Sequence, residues 1–527
     1  MKKIALLLLT IVTVSSNAQN LTTFGLSGNA NNLTHNPAAD PLTSFHLNYI
    51  GLNNTLGMNQ TAGEIFATTD LLANLSNLNS NALSLTGETS IDIFHLGFKT
   101  GKNYIFAGYT QNIALEFDFD KDLAHFAKYG FGDGNGNLNL NYQGDFSDFG
   151  ASLDVTNDVF VGLQRSFMEN KLRLGVSAHQ IGYGLGMRVQ ADAFSINSTA
   201  TAVPGLNNVD VNYDFTLAAP NLLFTNDSIP DLSALGNLGE IITNRVNIIS
   251  NILTPANTTT AFKVGAYYKP IDKLSLQFSM SGLGASPIAV STDVAKRLAG
   301  GVAIDGFEYN SNATDTLGSA VRNEVQSFTE GISNGLNTNL ENTTYSYEYA
   351  VPQVTNAAIH YHLKGQTYVG VHYTSRTNSI TDYEYLGFTS LLWLHKNIQL
   401  KGAYYLTLNE NNADLITTAL QFRVTPLLQV YIGTTTTGDI ATVAANSIAT
   451  VAANSSESIM VGAATQGVNI TAGAGMVFFD KRFKKDKKDK AEKKGKEATT
   501  LSPEDVKKVD DAHSNSETVK KKNKFFH

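Results

Sequence analysis

Strict alternation of apolar with polar residues is the feature that most constrains this chain. Leu274, Leu276, Phe278 and Met280 alternate with Ser275, Gln277, Ser279 and Ser281. Leu172, Leu174, Val176 and Ala178 alternate with Arg173, Gly175, Ser177 and His179. Val468, Ile470, Ala472, Ala474, Met476 and Phe478 alternate with Asn469, Thr471, Gly473 and Gly475, the pattern breaking only at Val477. Successive side chains of a strand point to opposite faces, so each of these stretches has one apolar face and one polar or small face. A soluble sandwich alternates too, but its solvent face usually carries Lys and Glu. Small uncharged polar residues suit a crowded barrel lumen instead.

The connections reinforce this reading. Very short polar turns fall at Met168 to Lys171, Lys269 to Lys273, Lys364 to Gln366, His395 to Asn397 and Thr425-Pro426. Much longer segments separate them, at 187–258, 284–345 and 434–466. Short turns on one side and long loops on the other characterise outer-membrane barrels, where the short turns are periplasmic. Strands are expected near 44–53, 89–100, 103–118, 136–155, 158–168, 171–190, 260–269, 273–284, 346–363, 367–378, 382–395, 398–409, 413–424, 427–436 and 466–479. That makes fifteen, whereas a single-chain bacterial barrel has an even number, so fourteen are expected. Tyr104, Phe106, Tyr267, Tyr268, Tyr383, Tyr385, Tyr404 and Tyr405 fall near strand ends and read as aromatic girdles.

Composition agrees. Charged residues make up only 16% of the chain, against roughly 25% in an ordinary soluble protein. No apolar run after residue 18 approaches the ~20 residues of a membrane helix. In lipid every backbone group must be paired internally, which leaves the closed barrel. The expected fold is therefore all-β, a transmembrane antiparallel barrel of about fourteen strands.

The two ends differ from the middle. Lys2 and Lys3, the apolar run Ile4 to Val14 and the small residues Ser16-Asn17-Ala18 have the layout of a secretory signal peptide, residues 1–18. Residues 19–43 precede the first strand, and the barrel is expected over 44–479. From Asp480 to His527 there are 16 Lys or Arg against 10 Asp or Glu; the remainder, out of totals of 38 and 46, holds 22 basic and 36 acidic residues. Such a charged segment has little to bury and is expected to be a disordered tail hanging in the periplasm. Residues 62–85, 232–253 and 319–340 have helical spacing or no period. Ala-Thr-Val-Ala-Ala-Asn-Ser occurs twice within 441–455, a duplicated loop segment without chemistry.

Gly25, Gly28 and then Asn36-Pro37-Ala38 precede the first strand. Asn-Pro favours turn initiation, and glycine permits close backbone approach. In this position the segment resembles the N-terminal hatch of FadL-type outer-membrane proteins, and the whole layout is similar to the branch of that superfamily found in Bacteroidota. The hairpin Tyr-Lys-Pro-Ile-Asp-Lys-Leu at 268–274 and the Pro-led strand Pro352 to Tyr361 carry the same likeness. The resemblance implies a fourteen-stranded barrel with an N-terminal plug, and Asn36, Pro37 and Ala38 as a hatch motif. It implies an outer-membrane channel or transporter for hydrophobic or amphipathic small molecules. The alternative is a non-transporting barrel that serves as scaffold or accessory subunit of a secretion or assembly complex.

Chemistry beyond transport finds little footing. With 0 Cys there are no disulfides, thiol redox chemistry or thiolate metal sites. Asp133-Gly134-Asn135-Gly136-Asn137 begins like a Ca²⁺ loop, but Leu138 and Gly144 stand where Gly and Glu are needed. His360 and His362 share a strand face without a third metal ligand in view. No catalytic residues, cofactor or metal are expected, and the acidic barrel portion would repel nucleic acid. The expected partners are outer-membrane lipid, hydrophobic small molecules, and a periplasmic protein or peptidoglycan reached by the tail.

Overall fold

The computed structural model describes residues 21–478 apart from 27, 30, 61–64, 66–69, 79, 132–138, 140, 203–205, 219–256, 309–339, 365–366, 378–381, 396, 409–413, 426 and 439–464. The expected signal peptide, the charged tail, the heptapeptide repeat, the Asp133 to Asn137 run and the helical segment 232–253 lie outside these residues. So does nearly all of 319–340.

Fourteen antiparallel strands close a ring. In chain order they are β1 (Phe45–Met58), β2 (Ala82–Thr100), β3 (Asn103–Asp120), β5 (Gly150–Phe167) and β6 (Leu172–Ala200); β8 (Thr258–Ile271) and β9 (Leu274–Leu283); then β12 (Gln353–Lys364), β13 (Thr367–Thr377), β14 (Tyr383–His395), β15 (Ile398–Thr407), β16 (Leu415–Arg423), β17 (Leu428–Gly438) and β18 (Thr465–Phe478). Four shorter or outlying strands, β4 (Gln143–Asp145), β7 (Leu206–Ala218), β10 (Ile288–Glu308) and β11 (Leu340–Tyr349), stand outside the ring. Closure is by β18 on β1, with Phe45 opposite Phe478 and Asn53 opposite Thr471.

The count of fourteen holds, and the fifteenth expected strand came from a false division. The sequence pattern separates 136–155 from 158–168, but Gly150–Phe167 is continuous, with a bulge between Val155 and Thr156. The polar run Thr156-Asn157-Asp158 looks like a turn. Asn157 is instead buried and accepts a 2.8 Å bond from the Tyr109 hydroxyl, while Asp158 pairs with His179. At 346–363 one expected strand is really two, β11 ending at Tyr349 and β12 starting after Pro352. Proline has no N–H to give to a ladder.

The two faces of the wall separate as the alternation requires. Val161, Ile359 and Phe388 are more than half exposed, and Leu174, Phe262, Phe278, Val369, Ile432 and Ile470 join them around the outside. Ser275, His372, Thr417, Thr435 and Asn469 point inward and are fully buried. A closed barrel with an apolar outer belt and a polar interior is the construction of a transmembrane β-barrel. The girdle assignment needs correction. Tyr104, Phe106, Tyr383, Tyr385 and Tyr405 are buried and pack on residues of the N-terminal segment, so their parity aims them into the lumen. Tyr268 alone of the eight is an exposed outward ring.

At the loop end the long connections contain more order than their composition suggests. β6 runs on past its pairing with β8 and continues with β7, β10 and β11 as a distal sheet. Phe131, Tyr142, Phe146, Ile196, Val209, Val211, Tyr213 and Leu298 form its core. Residues 187–218 and 288–308 are thus largely strand, against the expectation of loops. Within 62–85 a short helix α2 (Leu71–Ser76) is capped by Asp70, whose side chain accepts from the Ala73 amide, and the strand begins by Ala82. A third helix, α3 (Lys121–Tyr129), starts at Asp120, which accepts from the amides of Asp122 and Leu123, and stops at Gly130 with φ 58°. The first helix, α1 (Asn32–His35), belongs to the hatch.

Candidate functional site: the hatched lumen

The N-terminal segment occupies the lumen. Leu21, Thr22, Thr23, Phe24, Leu26, Leu33, Asn36 and Ala38 are all buried. The segment pairs some of its own backbone groups, such as the Leu26 amide with the Thr23 carbonyl and the Asn36 amide with the Asn32 carbonyl, and the wall satisfies others. Lys401 donates to the carbonyls of Leu21 and Thr22. Thr22 bonds Thr435 and Asn469, each at 3.2 Å. Phe24 stacks on His372 with centroids 4.0 Å apart, and the Tyr368 hydroxyl donates to the Gly25 carbonyl at 3.0 Å. Gly25 has φ 79°, a conformation glycine adopts freely, and a Cβ there would meet the Tyr368 hydroxyl. Further on, Asn31 donates to Asp92 at 3.1 Å and Lys263 donates to the Thr34 carbonyl.

Asn36-Pro37-Ala38 lies flat against the wall at β6 and β8. Asn36 Oδ1 accepts from the Ala38 amide at 2.9 Å, making the turn, and its Nδ2 faces the Ala266 carbonyl at 3.4 Å. Opposite stand Gly175 and Gly265, which are cross-strand partners. A Cβ on Gly175 would come within 2.3 Å of the Pro37 oxygen, and one on Gly265 within 2.2 Å of Asn36 Oδ1. The motif thus sits where two glycines leave the wall bare. Gln164 donates to the carbonyls of Ala38 (2.9 Å) and Ala39 (3.1 Å), and Arg173 Nε donates to Ala38 at 3.2 Å. Arg173 also pairs with Asp40 at 2.8 Å and lies over the Tyr267 ring at 3.9 Å.

The hatch leaves a cavity on each side. Toward the loop end a space of about 200 Å³ has Thr34 and His35 as its floor. Its lining mixes Phe160, Ile181, Ala261, Val351 and Val354 with Asp92, Asp158, Lys263 and His179. Toward the turn end a space of about 330 Å³ is bordered by Leu26, Asp40, Arg173, His360, His362 and Tyr368 among others. His360 stacks on Tyr368 at 4.0 Å and His362 bonds Ser275 at 2.9 Å. Among the described residues no three His, Asp or Glu come together to hold a metal ion. Arg173, Lys263 and Lys401 were not singled out from the sequence. Their signal was there: each is a lone cation on the small, polar face of a strand in a weakly charged chain.

These features define a class: a transmembrane β-barrel of fourteen strands with an N-terminal hatch bound inside it. Residues 37–435 match the model of a family of unknown function, DUF5723, and the chain belongs to that family. No curated protein matches the chain. Among solved structures it is similar to the Ralstonia pickettii toluene transporter TbuX, at 9% identity and a TM-score of 0.41, over 85% of this chain and 94% of that one. It is also similar to the Pseudomonas putida toluene transporter TodX, at 8% identity and 0.39, over 88% and 95%. A Pseudomonas aeruginosa FadL homologue matches at 11% identity and 0.38, over 88% and 98%.

Proposed function

We propose that this protein is an outer-membrane channel or transporter for small amphipathic molecules, closed by its hatch, and of FadL-like kinship. One observation carries the reading: the lumen has a cavity on either side of the hatch, which the wall holds by hydrogen bonds together with apolar contacts of Leu21, Leu26 and Leu33. Water can replace such bonds at modest net cost, about 0.5–1.5 kcal/mol each. The lining of the upper cavity mixes apolar with charged and polar side chains, which suits an amphipathic molecule better than a plain hydrocarbon. The even strand number and polar interior support the outer membrane, with the short turns in the periplasm. On this reading residues 1–18 direct export and residues 480–527 hang in the periplasm, where their charge would reach a protein partner or peptidoglycan. No catalytic role is assigned.

Proteoliposomes test the reading. The full mature chain should speed uptake of medium-chain alcohols or fatty acids over empty vesicles and over a sugar of similar size. A second reading, a barrel that serves as a scaffold, is favoured by the well-packed distal sheet. It predicts no uptake, and a stoichiometric protein partner on purification from native membranes that is lost when 480–527 are deleted. Uptake equal to that of empty vesicles would overturn the transport reading.

A further inference from the structure

The hatch is not the only structure that crosses the lumen. Arg376 on β13 and Glu88 on β2 form a two-pronged ion pair, with Nη1 to Oε2 at 2.8 Å and Nη2 to Oε1 at 2.5 Å. The paired strands show what this spans. Going round the ring from β2 to β13, six strands intervene in one direction (β3, β5, β6, β8, β9, β12) and six in the other (β14 to β18 and β1). The two residues therefore stand on diametrically opposite walls.

A round barrel could not bring them together. Fourteen strands about 4.8 Å apart, tilted by about 40°, enclose a circle about 28 Å across. Arg and Glu side chains meeting tip to tip bridge about 14 Å between their Cα atoms. The barrel at this level must be flattened along the β2–β13 axis, and the pair is a bar across the narrow waist. Its height is fixed by register. Arg376 is paired across the ladder with Val354, which lines the upper cavity, and Glu88 lies four residues nearer the loop end than Asp92, which also lines it. The bar therefore crosses at the level of the cavity's loop-side lining, with Thr34 and His35 at the other end. Arg376 is almost fully buried, so its charge is committed to this contact.

We propose that Glu88–Arg376 is a second barrier in series with the hatch, narrowing the lumen on its loop side. The inference rests on the transport reading, and its tests tell the two apart. Because the chain has no cysteine, the geometry is testable without transport. In the Glu88→Cys/Arg376→Cys variant, a bis-maleimide no longer than the paired side chains should join the two sites in the folded protein. Failure to cross-link would mean that the walls are not close, and would overturn the proposal whatever the barrel carries.

The barrier itself is tested by conductance in planar bilayers. With the hatch loosened by Arg173→Ala/Lys401→Ala, current should stay low while the pair is intact. Adding Glu88→Ala/Arg376→Ala, which removes both charges so that neither is left buried alone, should raise it by roughly tenfold, a factor worth about 1.4 kcal/mol of barrier. Charge exchange, Glu88→Arg/Arg376→Glu, should keep it low, and heat-dependent gel migration verifies that each variant is folded. If hatch-loosened barrels conduct equally with and without the pair, the second barrier is refuted while the channel stands. If the cross-link forms and no variant passes any solute, the channel reading fails and the pair is a strut in a sealed barrel.

Discussion

The hatch and the distal sheet sit on opposite sides of the upper cavity, yet they are built differently: the hatch adds many polar contacts to the apolar packing of Leu21, Leu26 and Leu33, and the distal sheet closes on a core. The hatch buries polar groups, with Thr22 and Asn36 almost inaccessible, and the wall holds it through Lys401, Gln164 and Arg173. The distal sheet closes on aromatic and aliphatic side chains, with Phe146 at its centre packing on Phe126 and Phe194. Hydrogen bonds can be exchanged for bonds to water at small net cost, whereas exposed apolar area has no substitute partner. The difference teaches that the polar share of the hatch's contacts can be taken over by water, whereas the distal sheet has no such substitute for its core.

The sharpest way to break this comparison is Phe146→Ala. It should destabilise the distal sheet by about 3–5 kcal/mol and speed hydrogen exchange in 206–218 while leaving 21–43 protected. Equal loosening of both would mean that they form one unit. Next, Arg173→Ala removes the ion pair to Asp40 and a bond to Ala38, a loss of about 1.5–3 kcal/mol. Exchange should then quicken in 21–43 and not in 206–218. Gly265→Ala puts a Cβ against Asn36 and should cost about 1–3 kcal/mol through overpacking. It should lift Asn36-Pro37-Ala38 off the wall, read as faster thiol labelling at Ala38→Cys, and unchanged labelling would deny the glycines a docking role.

The smallest effect concerns the exposed Asp214–Arg297 pair between β7 and β10, at 2.5 Å. The bond from Arg297 holds the Asp214 carboxyl below its ordinary value of 3.8. A carboxylate with a lowered value stabilises the fold above the ordinary value, and the benefit disappears as pH falls through the lowered one. At this exposure water screens the pair and the benefit is small. Asp214→Asn should therefore lower the distal sheet's melting temperature slightly at neutral pH and converge with the parent in acid. A constant gap at every pH would show that the charge is idle.

Much of the wall was legible because parity is a local property. Leu276 and Ser279 fall on opposite faces in the sequence and in the structure alike. β7 was legible too, since Val209, Val211, Tyr213 and Phe215 alternate plainly, but reading 187–258 as one loop passed over it. The Tyr383 and Tyr385 rings were misread because nearness to a strand end says nothing about which face a ring takes. The glycines Gly175 and Gly265 looked like any small luminal residues, because the segment they receive is distant in sequence.

The sequence by itself determined a closed antiparallel barrel, because period two, short turns and scarce charge leave the backbone no other way to be paired in lipid, and the structure settled the count at fourteen. It also marked Asn36-Pro37-Ala38 as a segment apart from the strands. Only the tertiary structure decided where that segment docks, which lone cations bind it, and that Arg376 meets Glu88 across the waist. Those contacts join residues as much as 447 positions apart, and alternation along a strand carries no information about what stands on the opposite wall.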